Sequence, residues 1–132
     1  MEGYSRMSIS RALKGQTELV WETLPVPNDV RARPTYTFTF AGGMGYPQQP
    51  EAAFALSLNG KKIIDIPKIV WKDHEWKGNG CELRYTREMS TEELGRFTLT
   101  VPSSLLEPGK PATLCVTAEA KGSRRWFAVM EP

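Results

Sequence analysis

The side chains best suited to binding a ligand are aromatic rings placed in polar or glycine-rich segments. Tyr46 lies in the stretch 42–47, which holds too much glycine and proline for a central strand. Trp76 lies in the otherwise polar segment 72–80. A flat exposed ring can desolvate the apolar face of a sugar, while neighbouring carboxylate, amide or guanidinium groups bind the sugar hydroxyls. The two rings therefore indicate a stacking platform.

Each ring also has an alternative place in the interior of the domain. The segment around Trp76 could fold back so that its indole plugs one end of the domain, and Tyr46 could be buried in the same way. Trp71 follows two β-branched residues, which favours burial, although it remains a third candidate for stacking. Trp21 follows an apolar pair, and we expect it in the core.

Polar partners for a bound sugar lie near these rings or beside other aromatics. Glu75 and Asn79 flank Trp76, and Arg124 and Arg125 precede an aromatic pair. If that pair lies on a strand, its two rings point to opposite faces, so at least one basic side chain accompanies an outward ring. The alternative is a C-terminal strand whose cationic side chains lie across aromatic surface. We expect these four polar residues to bind hydroxyl groups.

The sequence carries no recognisable set of catalytic residues. His74 is its one histidine, and the nucleophile-elbow, HExxH zinc and P-loop patterns do not occur. Cys81 and Cys115 lack a CxxC spacing and clustered histidines, which argues against a zinc fold. The two cysteines could form one disulfide or remain free, since Cys115 lies in an alternating stretch that suits a buried thiol. We expect a protein without enzymatic activity.

Carboxylates offer one route to a bound cation. Asp65 and Asp73 could contribute oxygen ligands to a calcium ion, because a loop can combine carboxylates with carbonyl groups. The sequence around them does not match an EF-hand loop. We expect no cofactor other than a structural calcium ion.

Composition bounds the class of protein and its partners. The chain of 132 residues, 40% of them hydrophobic, has the size of one soluble domain, which we expect to span residues 1–132. Its formal net charge of +2 is too small for the strong field of nucleic-acid binders. No apolar run reaches the roughly 20 residues that span a bilayer. Residues 1–6 lack the apolar core of a signal peptide. We therefore expect neither nucleic acid nor a membrane as a partner.

The elements that must position these residues are predicted to be strands separated by turns. In the segment 35–40, aromatic and hydroxyl side chains alternate, so Tyr36, Phe38 and Phe40 should share one face. The same alternation recurs at 83–85, 97–101 and 114–118, with glycine and proline between the segments.

This spacing predicts an all-β fold, an antiparallel β-sandwich or jelly roll with at most short helical turns. One such turn is expected at 103–107, between two prolines. Residues 1–16 are the least patterned segment and are predicted to form an edge strand or a tail.

Asn59 and Gly60 predict a hairpin between two apolar runs. A two-residue loop would place Phe54 opposite Asp65, whereas a three-residue loop places it opposite Ile64 and gathers the best apolar set on one face. We therefore predict a three-residue loop with a bulge at Gly60.

Across roughly residues 17–130, the order of elements resembles the noncatalytic β-sandwich modules attached to secreted bacterial carbohydrate-active enzymes, broadly the galactose-binding-like and carbohydrate-binding-module folds. The segments that carry the resemblance are Val20–Thr23, Ala41–Tyr46, Leu58–Lys61 and Ser123–Phe127. The resemblance implies a binding site either in loops at one end of the sandwich or across a concave sheet, and in many cases a structural calcium ion. It also implies an exported parent enzyme, and so an extracellular or periplasmic location.

The resemblance implies a carbohydrate-binding module that targets an attached catalytic domain to a polysaccharide or oligosaccharide. Weak sugar contacts would raise the local concentration of substrate for the enzyme. This sequence has fewer evident exposed rings than the aromatic-rich modules of this kind. The alternative function is therefore a structural β-sandwich that docks against a neighbouring domain or subunit without binding a glycan.

Overall fold

The chain folds into two antiparallel β-sheets that pack face to face. The computed structural model describes residues 9–14, 18–45, 51–68, 73–87, 94–118 and 126–130. The strands in these ranges are β1 (Ile9–Lys14), β2 (Glu18–Glu22), β3 (Thr35–Gly45), β4 (Glu51–Leu58), β5 (Lys61–Lys68), β6 (His74–Gly78), β7 (Cys81–Arg87), β8 (Leu94–Pro102), β9 (Thr113–Ala118) and β10 (Trp126–Met130).

The large sheet has six strands in the order β1-β10-β3-β8-β7-β6, and the small sheet has four in the order β2-β9-β4-β5. The two sheets approach each other at both edges, where β1 contacts β2 and β5 contacts β6. The predicted all-β sandwich is confirmed. Within the described residues, helical structure is limited to two 3-10 turns, Val30–Ala32 and the expected Ser103–Leu105. No helix in this part of the chain is long and apolar enough to cross a membrane.

The core lies between the sheets and is built from the residues that alternate inward along each strand. On the large sheet, the ring of Phe97 stacks between Phe40 and Phe127, with ring centroids 5.2 Å apart in both pairs. From the small sheet, Phe54 meets Phe127 edge to face with ring centroids 5.6 Å apart, and Leu56 and Val116 are fully buried. Burial of a single side chain of this size contributes about 2 kcal/mol, so these inward faces hold the sheets together. Trp21 is buried among them, as expected.

The hairpin between β4 and β5 differs from its prediction. Leu58 pairs directly with Lys61, so the loop has two residues, and both Asn59 (φ 51°) and Gly60 (φ 87°) adopt the left-handed conformation. These are the conformations that match the twist of the flanking strands. The predicted three-residue loop with a bulge at Gly60 is therefore wrong.

The apolar set is gathered by a bulge inside β5 instead. Leu56 pairs with Ile64 while Ser57 pairs with Lys62, which leaves Ile63 as the extra residue. The extra residue reverses the inward and outward alternation, so Ile64 and Ile66 both face the core. The prediction placed the right apolar residues on one face. It placed the bulge at Gly60 in the turn, whereas the bulge lies at Ile63 inside β5.

Strands that run in opposite directions bring alternate strand ends to the same end of the sandwich. On the large sheet, Gly45 at the end of β3 pairs with Trp126 at the start of β10. Further across the sheet, β8 begins, β7 ends at Arg87, and β6 begins at His74 on this same side. We call this the upper end. The lower end carries the Asn59–Gly60 turn and the turn between β6 and β7.

Residues 9–14 form the edge strand β1 of the large sheet, paired with β10. This is one of the two alternatives predicted for the N-terminal segment. Residues 1–8 lie outside the described part of the chain.

Candidate functional site

An open depression of about 350 Å³ lies on the hairpin formed by β6 and β7. It sits at the upper end, because β6 begins there and β7 ends there. Its lining combines carboxylate, guanidinium, imidazole and hydroxyl groups: Asp73, His74, Glu75, Arg84, Tyr85 and Thr86.

Two cross-strand neighbours form the centre of this lining. Glu75 pairs with Arg84 in the β6–β7 ladder, and Arg84 Nη2 donates a hydrogen bond to Glu75 Oε2 over 3.1 Å. Glu82 Oε2 lies 3.6 Å from the same Nη2 atom, and Lys77 Nζ lies 3.8 Å from Glu75 Oε1. The four side chains share the outer face because each strand places alternate residues on one side. The result is a row of alternating charges, Lys77, Glu75, Arg84 and Glu82, which we call the charge row.

The charge row keeps Glu75 ionised. The hydrogen bond from Arg84 lowers the pKa of the Glu75 carboxyl below its ordinary value of 4.5, and the positive charge of Lys77 lowers it further. The side chains are exposed, so solvent and salt screen the charges and the pairs contribute little to the stability of the fold. Their main effect is to place a carboxylate and a guanidinium side by side on the outer face of the hairpin.

The upper rim of the depression is formed by Asp73 and His74. Asp73 Oδ1 accepts a hydrogen bond from the backbone N–H of Arg87 over 3.0 Å, which ties the start of β6 to the end of β7. His74 is exposed, and its ring lies 4.9 Å from the indole of Trp76 at an interplanar angle of 59°. His74 and Trp76 are two residues apart on β6, so their side chains lie on the side of the strand opposite to Glu75, and the His74 ring is exposed where the strand begins.

Trp76 does not supply that ring. The segment predicted to be a polar loop contains strand β6, in which Glu75 and Lys77 face outward and Trp76 faces inward. Only 8% of the Trp76 surface is exposed, and the side chain belongs to the hydrophobic core. A buried indole has no free face on which a sugar can stack, so the prediction of an exposed stacking ring at Trp76 is wrong and the interior alternative holds.

Asn79 lies away from the depression, at the lower end. It occupies the turn between β6 and β7 with φ 52°, followed by Gly80 with φ 76°. Its amide Nδ2 donates to the Ile63 carbonyl oxygen over 3.0 Å, which joins the hairpin to β5. The prediction that Asn79 joins Glu75 in one binding site is corrected, because Asn79 serves the turn.

Four of the predicted site residues lie outside the described residues: Tyr46, Trp71, Arg124 and Arg125. Their described neighbours in the chain are all at the upper end. Gly45 precedes Tyr46, Trp126 follows Arg125, and these two neighbours are paired in the sheet. Asp73, on the rim of the depression, follows closely after Trp71.

Sequence analysis identified Glu75 but missed Arg84 and Thr86. Both face outward on β7, and nothing in their local sequence distinguishes them from ordinary surface residues. Only the pairing of β6 with β7 reveals that Arg84 is the partner of Glu75. The alternation around Leu83 and Tyr85 would have placed Arg84 outward, which is the one signal available beforehand.

The two carboxylates proposed as calcium ligands have separate surroundings. Asp65 lies on β5 of the small sheet and pairs with Lys62 over 3.1 Å, whereas Asp73 lies at the rim of the large sheet. Among the described residues, no group of three or more His, Cys, Asp or Glu side chains is arranged to hold a metal ion. Calcium binding stays a prediction.

The two cysteines are free thiols on different sheets. Cys81 is buried on β7, and burial raises the pKa of its thiol. Cys115 is half-buried on β9, where burial, followed by the charge of Glu18, raises the pKa of its thiol to about 11. Its Sγ donates to Glu18 Oε2 over 3.6 Å. A thiol with this pKa stays protonated at neutral pH and is a poor nucleophile.

The outer face of the small sheet has a different character from the charge row. Its centre is formed by small, half-buried side chains, Ala55, Ser57 and Cys115. Beside them on β2 lies Val20, which is 41% exposed, and just beyond the strand lies Leu24, which is 77% exposed. We call this face the small-residue face.

Comparisons with known proteins do not place the chain in a family. No protein-family model matches it. No curated protein matches it either. Among solved structures, a structure of the Clostridium perfringens CspB protease aligns with 90% of this chain at 6% sequence identity and a TM-score of 0.29. The chain spans 26% of the length of that protease, and a similarity at this TM-score carries no inference about function.

Proposed function

We propose that the chain is a noncatalytic β-sandwich module that binds a polysaccharide at the upper end of its large sheet. The observation that carries the proposal is the depression in which Glu75 and Arg84 lie side by side on the outer face of the β6–β7 hairpin.

The chemistry of the depression suits sugar hydroxyl groups. The Glu75 carboxylate accepts hydrogen bonds, and Arg84 carries five N–H donors, so together they can bind two adjacent hydroxyls. The charge row already places the two side chains next to each other before a ligand arrives, which favours binding. The site is open and exposed, which favours weak and reversible binding. A polysaccharide could then bind through any of its repeating units.

In this proposal the module acts by proximity. It holds a catalytic domain of the same secreted polypeptide near its substrate, outside the cell or in the periplasm, and raises the local concentration of glycan. Tyr46 and Trp71 would add stacking surface, and Arg124 and Arg125 would add hydrogen-bond donors.

Affinity gel electrophoresis tests the proposal. The protein is run through native gels with and without a panel of soluble polysaccharides, and at least one of them should retard it. Arg84→Ala should lose most of this retardation. Asp65→Ala removes a charge from an exposed ion pair on the other sheet and should migrate like the parent. Folded protein that no glycan retards would contradict the proposal.

A second candidate function is supported by the small-residue face. A neighbouring domain could pack against Val20, Leu24 and Cys115, and the module would then be a structural docking unit without a glycan ligand. Hydrogen exchange separates the two functions. When the module is joined to its neighbouring domain, docking predicts slower exchange in β2 and β9 than in the isolated module, whereas sugar binding predicts no change there.

A further inference from the structure

The cations around the depression are already engaged by other groups. Arg84 lies between two carboxylates, with Nη2 3.1 Å from Glu75 and 3.6 Å from Glu82. Lys77 faces the remaining oxygen of Glu75 at 3.8 Å. Arg87 and Arg96, on the neighbouring strand positions, have interaction partners as well. An incoming anion would therefore meet a guanidinium whose positive charge is already compensated by two neighbouring carboxylates.

The lining of the depression also carries more negative than positive charge. It contains two carboxylates, Asp73 and Glu75, and a single guanidinium, that of Arg84. Asp73 is compensated by a backbone N–H, which lends only a partial charge. A carboxylate or sulfate group placed here would lie next to Asp73 and Glu75 and would be repelled by both.

We infer that the depression selects uncharged glycans and rejects polysaccharides that carry uronic acid or sulfate groups. This inference rests on the proposed function and names the substrate class of the same site. A neutral sugar leaves the charge row intact and uses the free lone pairs and N–H groups of Glu75 and Arg84. The formal net charge of the chain, +2, is too small to decide the preference by itself, so the local charges of the depression should set it.

The preference is tested with two sets of affinity gels. One set contains neutral polysaccharides, namely hydroxyethyl cellulose, galactomannan, laminarin and arabinoxylan. The other contains the acidic polysaccharides polygalacturonate, alginate and chondroitin sulfate. Each is run at about 20 mM and about 300 mM NaCl, since salt at the higher concentration screens exposed charges beyond roughly 6 Å. We expect retardation by at least one neutral glycan, with an apparent affinity that changes less than about twofold between the two salt concentrations, and no retardation by the acidic set.

The outcomes separate the inference from the proposed function. Retardation by an acidic polysaccharide at low salt that is lost at high salt overturns the inference, whether or not neutral glycans also bind, and leaves sugar binding in place. If neither set retards the folded protein, the proposed function fails and the inference falls with it.

A gain-of-function variant tests the role of the charge row directly. In the double variant Glu75→Gln/Glu82→Gln, Arg84 loses both carboxylate partners and should bind polygalacturonate at low salt. The matched control is Asp65→Asn/Glu107→Gln, which removes the same charge from two exposed ion pairs elsewhere. We expect at least about a fivefold higher apparent affinity for polygalacturonate in the site variant than in the control. Equal affinities would mean that net charge decides the preference, and the inference would be wrong.

Discussion

Glu75 and Arg84 face each other across the β6–β7 hairpin, with Oε2 of the carboxylate 3.1 Å from Nη2 of the guanidinium. The pair lies on the outer face of the large sheet, level in the ladder with Thr98 of β8, and it forms the centre of the charged depression. Because both side chains are exposed, the pair is available to a ligand and adds little to the stability of the fold.

Replacement of Glu75 by alanine should weaken glycan binding without unfolding the domain. The variant loses a charged hydrogen-bond acceptor, which corresponds to roughly a tenfold loss of affinity. Isothermal calorimetry with the best-binding glycan measures the loss, and the thermal unfolding midpoint should stay that of the parent. Asp65→Ala, on the small sheet, is the control and should bind normally. A Glu75→Ala protein with unchanged affinity would exclude the depression as the binding site.

Glycan binding should be insensitive to pH down to the acid range. Arg84 lowers the pKa of Glu75 below 4.5, so the carboxylate remains ionised at pH 5. It becomes protonated only when the pH falls through this lowered pKa. Affinity gels run between pH 4 and pH 7 should show constant retardation above pH 5. Arg84→Gln removes the main cause of the lowered Glu75 pKa. The retardation that remains in this variant should decline at a higher pH than in the parent. Identical pH profiles would show that Arg84 does not control the Glu75 carboxyl.

Truncation of Phe97 should be among the most damaging single changes. Its ring stacks on Phe40 and Phe127 and lies 5.0 Å from Tyr85 between ring centroids. Phe97→Ala leaves a cavity among these rings, and the expected loss is about 3–5 kcal/mol of unfolding free energy. Urea denaturation measures it. Thr98→Ala, the next residue along β8 on the outer face, should change the unfolding free energy by less than about 0.5 kcal/mol.

Two glycines should respond differently to alanine. Gly60 has φ +87° with open space around it, so Gly60→Ala meets only backbone strain and should cost about 1 kcal/mol. A Cβ atom on Gly95 would collide with the backbone carbonyl oxygen of Thr86, which cannot move without disturbing the β7–β8 ladder. Gly95→Ala should therefore be clearly the more destabilising of the two in urea denaturation. Equal losses would show that the strands separate easily at this point.

Alkylation of Cys115 should be slow at neutral pH. Burial and the neighbouring Glu18 carboxylate raise the pKa of its thiol to about 11, so little reactive thiolate is present at pH 8. Iodoacetamide labelling, quantified by peptide mass spectrometry, should accelerate steadily up to pH 10. Glu18→Gln should speed the reaction only in part, because burial is the larger cause. Full labelling within minutes at pH 7 would contradict the raised pKa.

The strands and most of the core could be predicted from local alternation. In the segment 35–40, the exposed threonines and the inward aromatic rings follow the two-residue repeat of a pleated strand, and β3 forms there as expected. Leu83, Phe97 and Leu114 are buried for the same reason. This signal belongs to each segment by itself, so a single sequence is sufficient to reveal it.

Local alternation could not predict the pairing register of the strands or which segment forms the edge of a sheet. The bulge at Ile63 depends on how β5 pairs with β4, and both a turn bulge and a strand bulge put the same apolar residues inward. The segment around Trp76 has one inward apolar residue among polar neighbours, which suits a loop as well as a short edge strand. The pairing of β6 with β7 and the core beneath it make the segment a strand.

The sequence by itself determined the all-β class, the inward faces of the main strands and the presence of Glu75 among the polar candidates. The tertiary structure decided that Arg84 is the partner of Glu75, that Trp76 fills the core and that Asn79 belongs to a turn. The physical reason is the range of the interactions. Alternation is set by the geometry of neighbouring residues, whereas cross-strand partners and burial depend on backbone pairing and packing between segments that are separated in the chain.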